Sequence, residues 1–197
     1  MRNQSRAAAA RAASLLLRYP DAEALSALPP IMDALPGLAR EVAEPLRRVA
    51  QHRATTSPAE LEASYVELFD FRRRCTLHLT YYTAGDTRRR GEALVEFADA
   101  YRAAGLRVVD GELPDYLPAV LDLAAADDAG WRLLGEHRVP LELLAEALSR
   151  SVYQDAVRAV LLLLPAARPG DPAAVARLAQ VGPPQELVGL EPYGSPR

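Results

Sequence analysis

Two arginine triplets, at residues 72–74 and 88–90, sit in one stretch, "FDFRRRCTLHLTYYTAGDTRRRG", with Phe69, Phe71, Tyr81, Tyr82, Cys75 and His78 around them. Guanidinium forks among aromatic rings suit three kinds of chemistry. They clamp a nucleic acid, they hold the carbonyls and carboxylates of another protein, or they do neither and form a solvated helix face.

Charge balance weighs against the first. The chain has 197 residues, a formal net charge of −3 and a pI near 5.7, whereas nucleic-acid binders usually carry a basic excess. All 23 basic residues are arginine. With no lysine there is neither a Walker-type phosphate loop nor Schiff-base catalysis. Cys75 stands alone, so an intrachain disulfide and a cysteine metal site are both excluded, and a lone thiol suits a reducing cytoplasm. His52, His78 and His137 are far apart and lack ligand spacing, so no metal site is expected. No Gly-x-Ser-x-Gly elbow or glycine-rich phosphate loop is present. These observations favour a binding protein over an enzyme, with no bound cofactor expected in the isolated chain. Arg11 and Arg18 interrupt the N-terminal apolar stretch, which argues against a secretory signal. The run "AVLLLLPAA" is too short to span a membrane. A cytoplasmic, soluble protein is expected.

Helices must position these groups, because alanine, leucine, glutamate and arginine dominate between proline and glycine breaks. The expected fold is all-α, a single-domain bundle of about eight to ten helices over residues 1–181, with a Pro/Gly-rich tail at 182–197. "SPAE" at residues 57–60 reads as a capping box with proline at the first helical position. From it a long helix is expected to run to about Thr83, ended by a left-handed Gly85. Asp86 is then expected to cap the next helix. Asp115 is expected to cap the helix around "YLPAVLDLAA", and Asp171 with Pro172 to open a last short one. On an uninterrupted helix, Leu61, Tyr65, Leu68, Cys75, Leu79 and Tyr82 share one face. Arg72 falls near its centre and is expected to be partly buried beside a partner from another helix. Arg73 lies at the edge and Arg74 opposite. Arg88, Arg89 and Arg90 fall in the first turn of a helix, where the macrodipole disfavours cations. They are either a solvated face or forks held near an anionic or carbonyl-rich partner.

The segment "YVELFDFRRRCTLHLTYYTAGDTRRRGEALVEFADAYRAAGL", followed by "ELPDYLPAVLDLAA", resembles the NarJ family of nitrate reductase assembly chaperones, the delta subunits. The tail "ELVGLEPYG" is similar to that family's C-terminal end. The resemblance is strong over Tyr65 to Ala126 and implies the all-α fold shared with TorD-like redox-enzyme chaperones. It implies a partner: the catalytic (alpha) subunit of respiratory nitrate reductase, bound through its N-terminal segment. That subunit is held competent for insertion of molybdenum cofactor and iron–sulfur clusters before it docks at the membrane.

Matched by position, the family-like residues are Tyr65, Phe69, Asp70, Arg72, Arg73, Arg74, Leu79, Gly85, Arg88, Arg89, Arg90, Gly91, Leu113, Pro114 and Asp115. Tyr116 departs from the histidine that family members commonly carry there. For a peptide-binding groove, Tyr65, Phe69 and Tyr82 are candidate anchors, and Asp70 and Asp115 candidate partners for a basic peptide end. The arginines can meet carbonyls or acids. The plainer readings place Tyr65 and Phe69 in the core and make Asp115 a helix cap. A chaperone for another molybdoenzyme, and an arginine-rich nucleic-acid module, stay open beside the main reading.

Overall fold

The computed structural model describes residues 2–108 and 111–184. Twelve α-helices account for most of them: α1 Arg2–Leu17, α2 Ala22–Ser26, α3 Leu28–Ala34, α4 Arg40–Thr55, α5 Pro58–Tyr65, α6 Leu79–Ala84, α7 Arg88–Ala103, α8 Leu117–Ala126, α9 Asp128–Glu136, α10 Arg138–Ala147, α11 Tyr153–Leu163 and α12 Asp171–Val181. The all-α expectation holds. The helices outnumber the eight to ten expected because several are shorter than the periodicity suggested.

Helix α1 lies at the centre and packs on α4, α8 and α11. Its buried face is mostly alanine, with Ala9, Ala10, Ala12, Ala13, Leu16 and Leu17 almost fully covered. Such small side chains let neighbouring helix backbones come close while still removing apolar area from water, at about 25 cal/mol per Å². At Gly130 the approach of α9 to α8 is so close that a Cβ would lie 2.2 Å from the Ala124 amide nitrogen. Arg6 closes one end of α1, donating to the Leu163 carbonyl at 3.1 Å with its guanidinium 3.9 Å from the Trp131 ring centre.

The capping box at α5 forms as expected: the Ser57 hydroxyl accepts from the Glu60 amide and the Glu60 carboxylate accepts from the Ser57 amide. The helix does not then run on to Thr83. It ends at Tyr65, widens into a π-helical turn at Val66–Asp70, and breaks at Arg72, whose backbone is extended. A 3₁₀ turn at Arg73–Cys75 and a short loop lead to α6.

Long-range hydrogen bonds explain the break. The Leu79 amide donates to the Asp115 carbonyl at 3.1 Å, and the Leu117 amide to the Leu77 carbonyl at 2.8 Å. His78 and Tyr116 thereby form an antiparallel bridge that a continuous helix cannot make. The Tyr82 hydroxyl shares its proton between the carbonyls of Arg74 and Thr76, both at 2.9 Å, which fixes the loop from inside.

Three end signals differ from expectation. Gly85 has φ +59° but ψ −153°, an extended conformation open to glycine rather than the left-handed helical one. A Cβ there would lie 1.8 Å from the Pro184 carbonyl oxygen. Thr87, not Asp86, occupies the N-cap of α7, while Asp86 reaches Arg90 at 3.3 Å. Asp171 is the first residue of α12 rather than its cap, and its carboxylate accepts from the Arg168 amide at 2.7 Å. Apart from Gly182–Pro184, the expected tail lies outside the described residues.

Candidate functional site

The sequence-derived residues divide among several places. Tyr65 and Phe69 are core. Their rings pack 4.5 Å apart, and Tyr19 and Tyr153 lie edge-on to Tyr65 at 5.5 and 6.1 Å. The Tyr65 hydroxyl donates to the Leu17 carbonyl at 2.9 Å and lies 3.3 Å from the Tyr116 hydroxyl. Burial, foremost, drives the Tyr65 phenol well above its ordinary pKa, so it acts as a neutral donor that closes the end of α1.

Asp115 is fully buried but does not cap its own helix, since Tyr116 holds the N-cap position of α8 without a side-chain bond. It caps α6 instead. Its Oδ2 accepts from the Thr80 amide at 3.0 Å and the Thr80 hydroxyl at 2.6 Å, while Oδ1 lies 3.1 Å from His78 Nδ1. Burial alone would raise its pKa. The hydrogen bonds from His78 and Thr80 outweigh burial and hold the carboxyl below the usual range. Asp115 is thus unavailable to a basic peptide end unless this junction opens.

Arg72 corrects the helical-wheel reading. Its side chain is 58% exposed and pairs with Glu67 at 2.6 Å, because the π turn and the break carry it out of the apolar face. Arg73, Arg74 and Asp70 are exposed beside it, and Phe71 is 78% exposed. In the second triplet, Arg88 and Arg89 are exposed and Arg90 is half-buried against Asp86. Leu113 is exposed, with Pro114 and Tyr116 half-buried beside Asp115.

Two clefts border these groups. The smaller, about 200 Å³, lies between α6, α10 and α12 and is mostly apolar, with Tyr81, Tyr82, Leu143 and Leu178 in its walls and Arg74 and Glu146 at its edges. The larger, about 500 Å³, lies between the α1–α2 segment and the α7–α8 segment. Tyr19, Tyr101 and Tyr116 line it, with Asp21, Glu23, Glu112 and Asp122 as acids and Arg11, Arg18 and Arg107 as bases. Arg11 and Arg18 both bind the Asp122 carboxylate, Arg11 at 2.6 Å. Asp21 accepts from the Ala24 amide at 2.8 Å, capping α2. Burial first, then the carboxylates of Glu62, Asp21 and Asp70, raise the Tyr19 phenol above its ordinary pKa.

Of the predicted residues, the structure therefore brings Tyr116 into the larger cleft, with Tyr65 directly behind it. It places Tyr82 at the smaller cleft. The second triplet lies elsewhere, because Arg88 and Tyr101 are separated by about 20 Å along α7 at 1.5 Å per residue.

Sequence reasoning missed Tyr19, Tyr101, Asp122 and Arg53. Arg53 is 2% exposed and donates to the carbonyls of Leu15 (at 2.9 Å) and Arg18, so it closes the end of α1 together with Tyr65. "RYP" at residues 18–20 did carry a signal, an aromatic left at a helix end just before a proline. Tyr101 and Arg53 carried none, since each reads as an ordinary helical residue.

Among the described residues, no group of histidine, cysteine and carboxylate side chains is placed to hold a metal ion, and no helix is long and apolar enough to cross a membrane.

Residues 33–154 match the family described as nitrate reductase delta subunit. The chain is 40% identical over 152 residues to the nitrate reductase-like protein NarX of Mycobacterium tuberculosis (strain H37Rv), covering 75% of this chain but only 23% of NarX. It is 32% identical over 158 residues to the probable nitrate reductase molybdenum cofactor assembly chaperone NarJ of Bacillus subtilis (strain 168), covering 78% of this chain and 86% of that protein. With the Escherichia coli (strain K12) NarJ it shares 35% identity over 115 residues, 57% of this chain and 49% of that one. In fold it is similar to a putative redox enzyme maturation protein from Archaeoglobus fulgidus, with a TM-score of 0.60 and 22% identity over 79% of this chain and 91% of that one.

Proposed function

The chain belongs to the nitrate reductase delta subunit family, and we propose on that footing that it is an assembly chaperone and not an enzyme. Its client is the catalytic subunit of a molybdenum-containing nitrate reductase. It binds the N-terminal segment of that subunit before the cofactor and the iron–sulfur clusters are in place. It acts in the cytoplasm, ahead of membrane docking.

The observation that supports this most is the larger cleft. A peptide receptor needs apolar or aromatic walls and a few placed charges. Tyr19 and Tyr116 supply the walls, and the Glu23 and Glu112 carboxylates stand in the lining with no ion pair or hydrogen bond among the described residues. Unpaired carboxylates favour a segment carrying basic side chains. At position 116 a tyrosine stands where a histidine is common in the family, so in this chain the wall carries a phenol hydrogen-bonded to Tyr65.

Calorimetric titration with a synthetic peptide of the co-encoded catalytic subunit's N-terminal segment tests the reading. A one-to-one complex of micromolar affinity or better is expected. No heat and no competition with the full client at micromolar concentration would refute it. Asp115 is unsuitable for charge reversal because it holds α6 in place. Glu23 and Glu112 are the informative positions, and Glu146, at the smaller cleft, is the comparison.

A further inference from the structure

We propose that the Tyr101 hydroxyl is the polar contact on the floor of the larger cleft, donating to an acceptor oxygen of the bound client segment. This rests on the reading that the cleft takes that segment. Among the described residues, two buried tyrosine hydroxyls have no hydrogen-bond partner, those of Tyr101 and Tyr153. An orphaned buried hydroxyl forfeits about 1–3 kcal/mol of hydration, so its persistence calls for an explanation. Tyr153 lies within the aromatic core, 5.2 Å from Phe69 and 6.1 Å from Tyr65, and lines neither of the two clefts. Tyr101 is only 5% exposed and lines the larger cleft.

The surroundings of Tyr101 decide what it would meet. Asp122 lies in the same lining, and its two oxygens are already taken by Arg11 and Arg18. Two guanidinium groups on one carboxylate leave that part of the cleft with a positive balance. Burial, then the carboxylates of Asp122 and Asp115, push the Tyr101 phenol far above neutral pH, so it stays a neutral donor. A donor beside a positive balance fits an oxygen acceptor, while Glu23 and Glu112 in the same lining fit a cation. The complementary ligand is a short polypeptide that turns a carbonyl or carboxylate oxygen inward and basic side chains outward.

The test compares wild type, Tyr101→Phe and Tyr153→Phe by thermal melting and by titration with the synthetic N-terminal client peptide. Removing a hydroxyl that is buried without a partner in the free protein leaves the melting temperature unchanged or raises it, while peptide affinity falls roughly three- to tenfold for one lost buried hydrogen bond. Tyr153→Phe is expected to melt no lower either and to leave peptide affinity unchanged. The inference is overturned if Tyr101→Phe binds as tightly as wild type, if it melts lower, or if Tyr153→Phe weakens binding equally. If wild type itself binds no peptide, the proposed function falls and the inference with it. Alanine-substituted peptides identify the oxygen. A backbone carbonyl leaves the Tyr101→Phe loss intact in every peptide, whereas a side-chain acceptor abolishes it in one.

Discussion

At the start of α8, Asp115 is fully buried and its carboxylate meets the Thr80 amide, the Thr80 hydroxyl and His78. At the end of α7, Tyr101 is almost as deeply buried and its hydroxyl has no hydrogen-bond partner among the described residues. One region is closed in the free protein and the other is left incomplete. A closed polar cluster specifies how segments far apart in sequence are joined, whereas an incomplete one next to open space is where a partner can add what is lacking. The contrast separates the two kinds of residue that a motif match cannot tell apart: those that hold the fold and those that meet a client.

Breaking the closed side should have the largest effect. Asp115→Ala strands the Thr80 amide and hydroxyl and removes the partner of His78. We expect a loss of about 3 kcal/mol in urea unfolding. Arg53→Met comes next, because it leaves the Leu15 and Arg18 carbonyls without their donor. A loss of about 1–2 kcal/mol is expected, with faster amide hydrogen exchange in the last turn of α1 as the specific readout.

The Asp115 junction also carries a pH signature. Its folded pKa lies below the unfolded value, so the stability it contributes is present above the unfolded carboxylate pKa of about 3.9 and is lost as pH falls through the folded value. Stability measured from pH 6 down to pH 2 should therefore fall more steeply in wild type than in Asp115→Asn. Equal slopes would place the acid sensitivity elsewhere.

On the open side, effects should appear in binding and not in stability. Reversing Glu23 and Glu112 to arginine together is expected to weaken the client peptide about tenfold at low salt and less as salt is added. Reversing Glu146 should change little. A drop for Glu146 as large as that for the pair would move the client to the smaller cleft. The smallest expected loss of stability is that of Tyr101→Phe, which should be at least as stable as wild type because it removes an unpartnered buried hydroxyl.

Local chemistry was readable where it sufficed. The Ser57–Glu60 box and the Pro172 start of α12 both follow from short-range rules. The stretch from Pro58 to Thr83 was not readable, although its periodicity looked continuous. A helical wheel assumes one angle per residue throughout, and the π turn at Val66–Asp70 shifts the phase of everything after it. The bonds that enforce the break come from residues 115–117, which no local window contains. The resemblance led to Tyr65, Tyr116 and Asp115, but it marked buried and cleft-lining positions alike. Tyr101 in "FADAYRAAG" reads as an ordinary core residue, because a missing hydrogen-bond partner is a property of the folded neighbourhood and not of sequence.

The placement of α1 has a consequence for how the protein is made. This helix leaves the ribosome before the elements that surround it, α4, α8 and α11, and the Leu163 carbonyl that receives Arg6 follows 157 residues later. At about 5–20 residues per second, the first helix waits roughly ten to thirty seconds for its last neighbour. Until then its alanine and leucine face has no completed site to enter. A nascent chain halted before Tyr153 should therefore remain protease-sensitive at α1, and a chain extended past Leu163 should protect it.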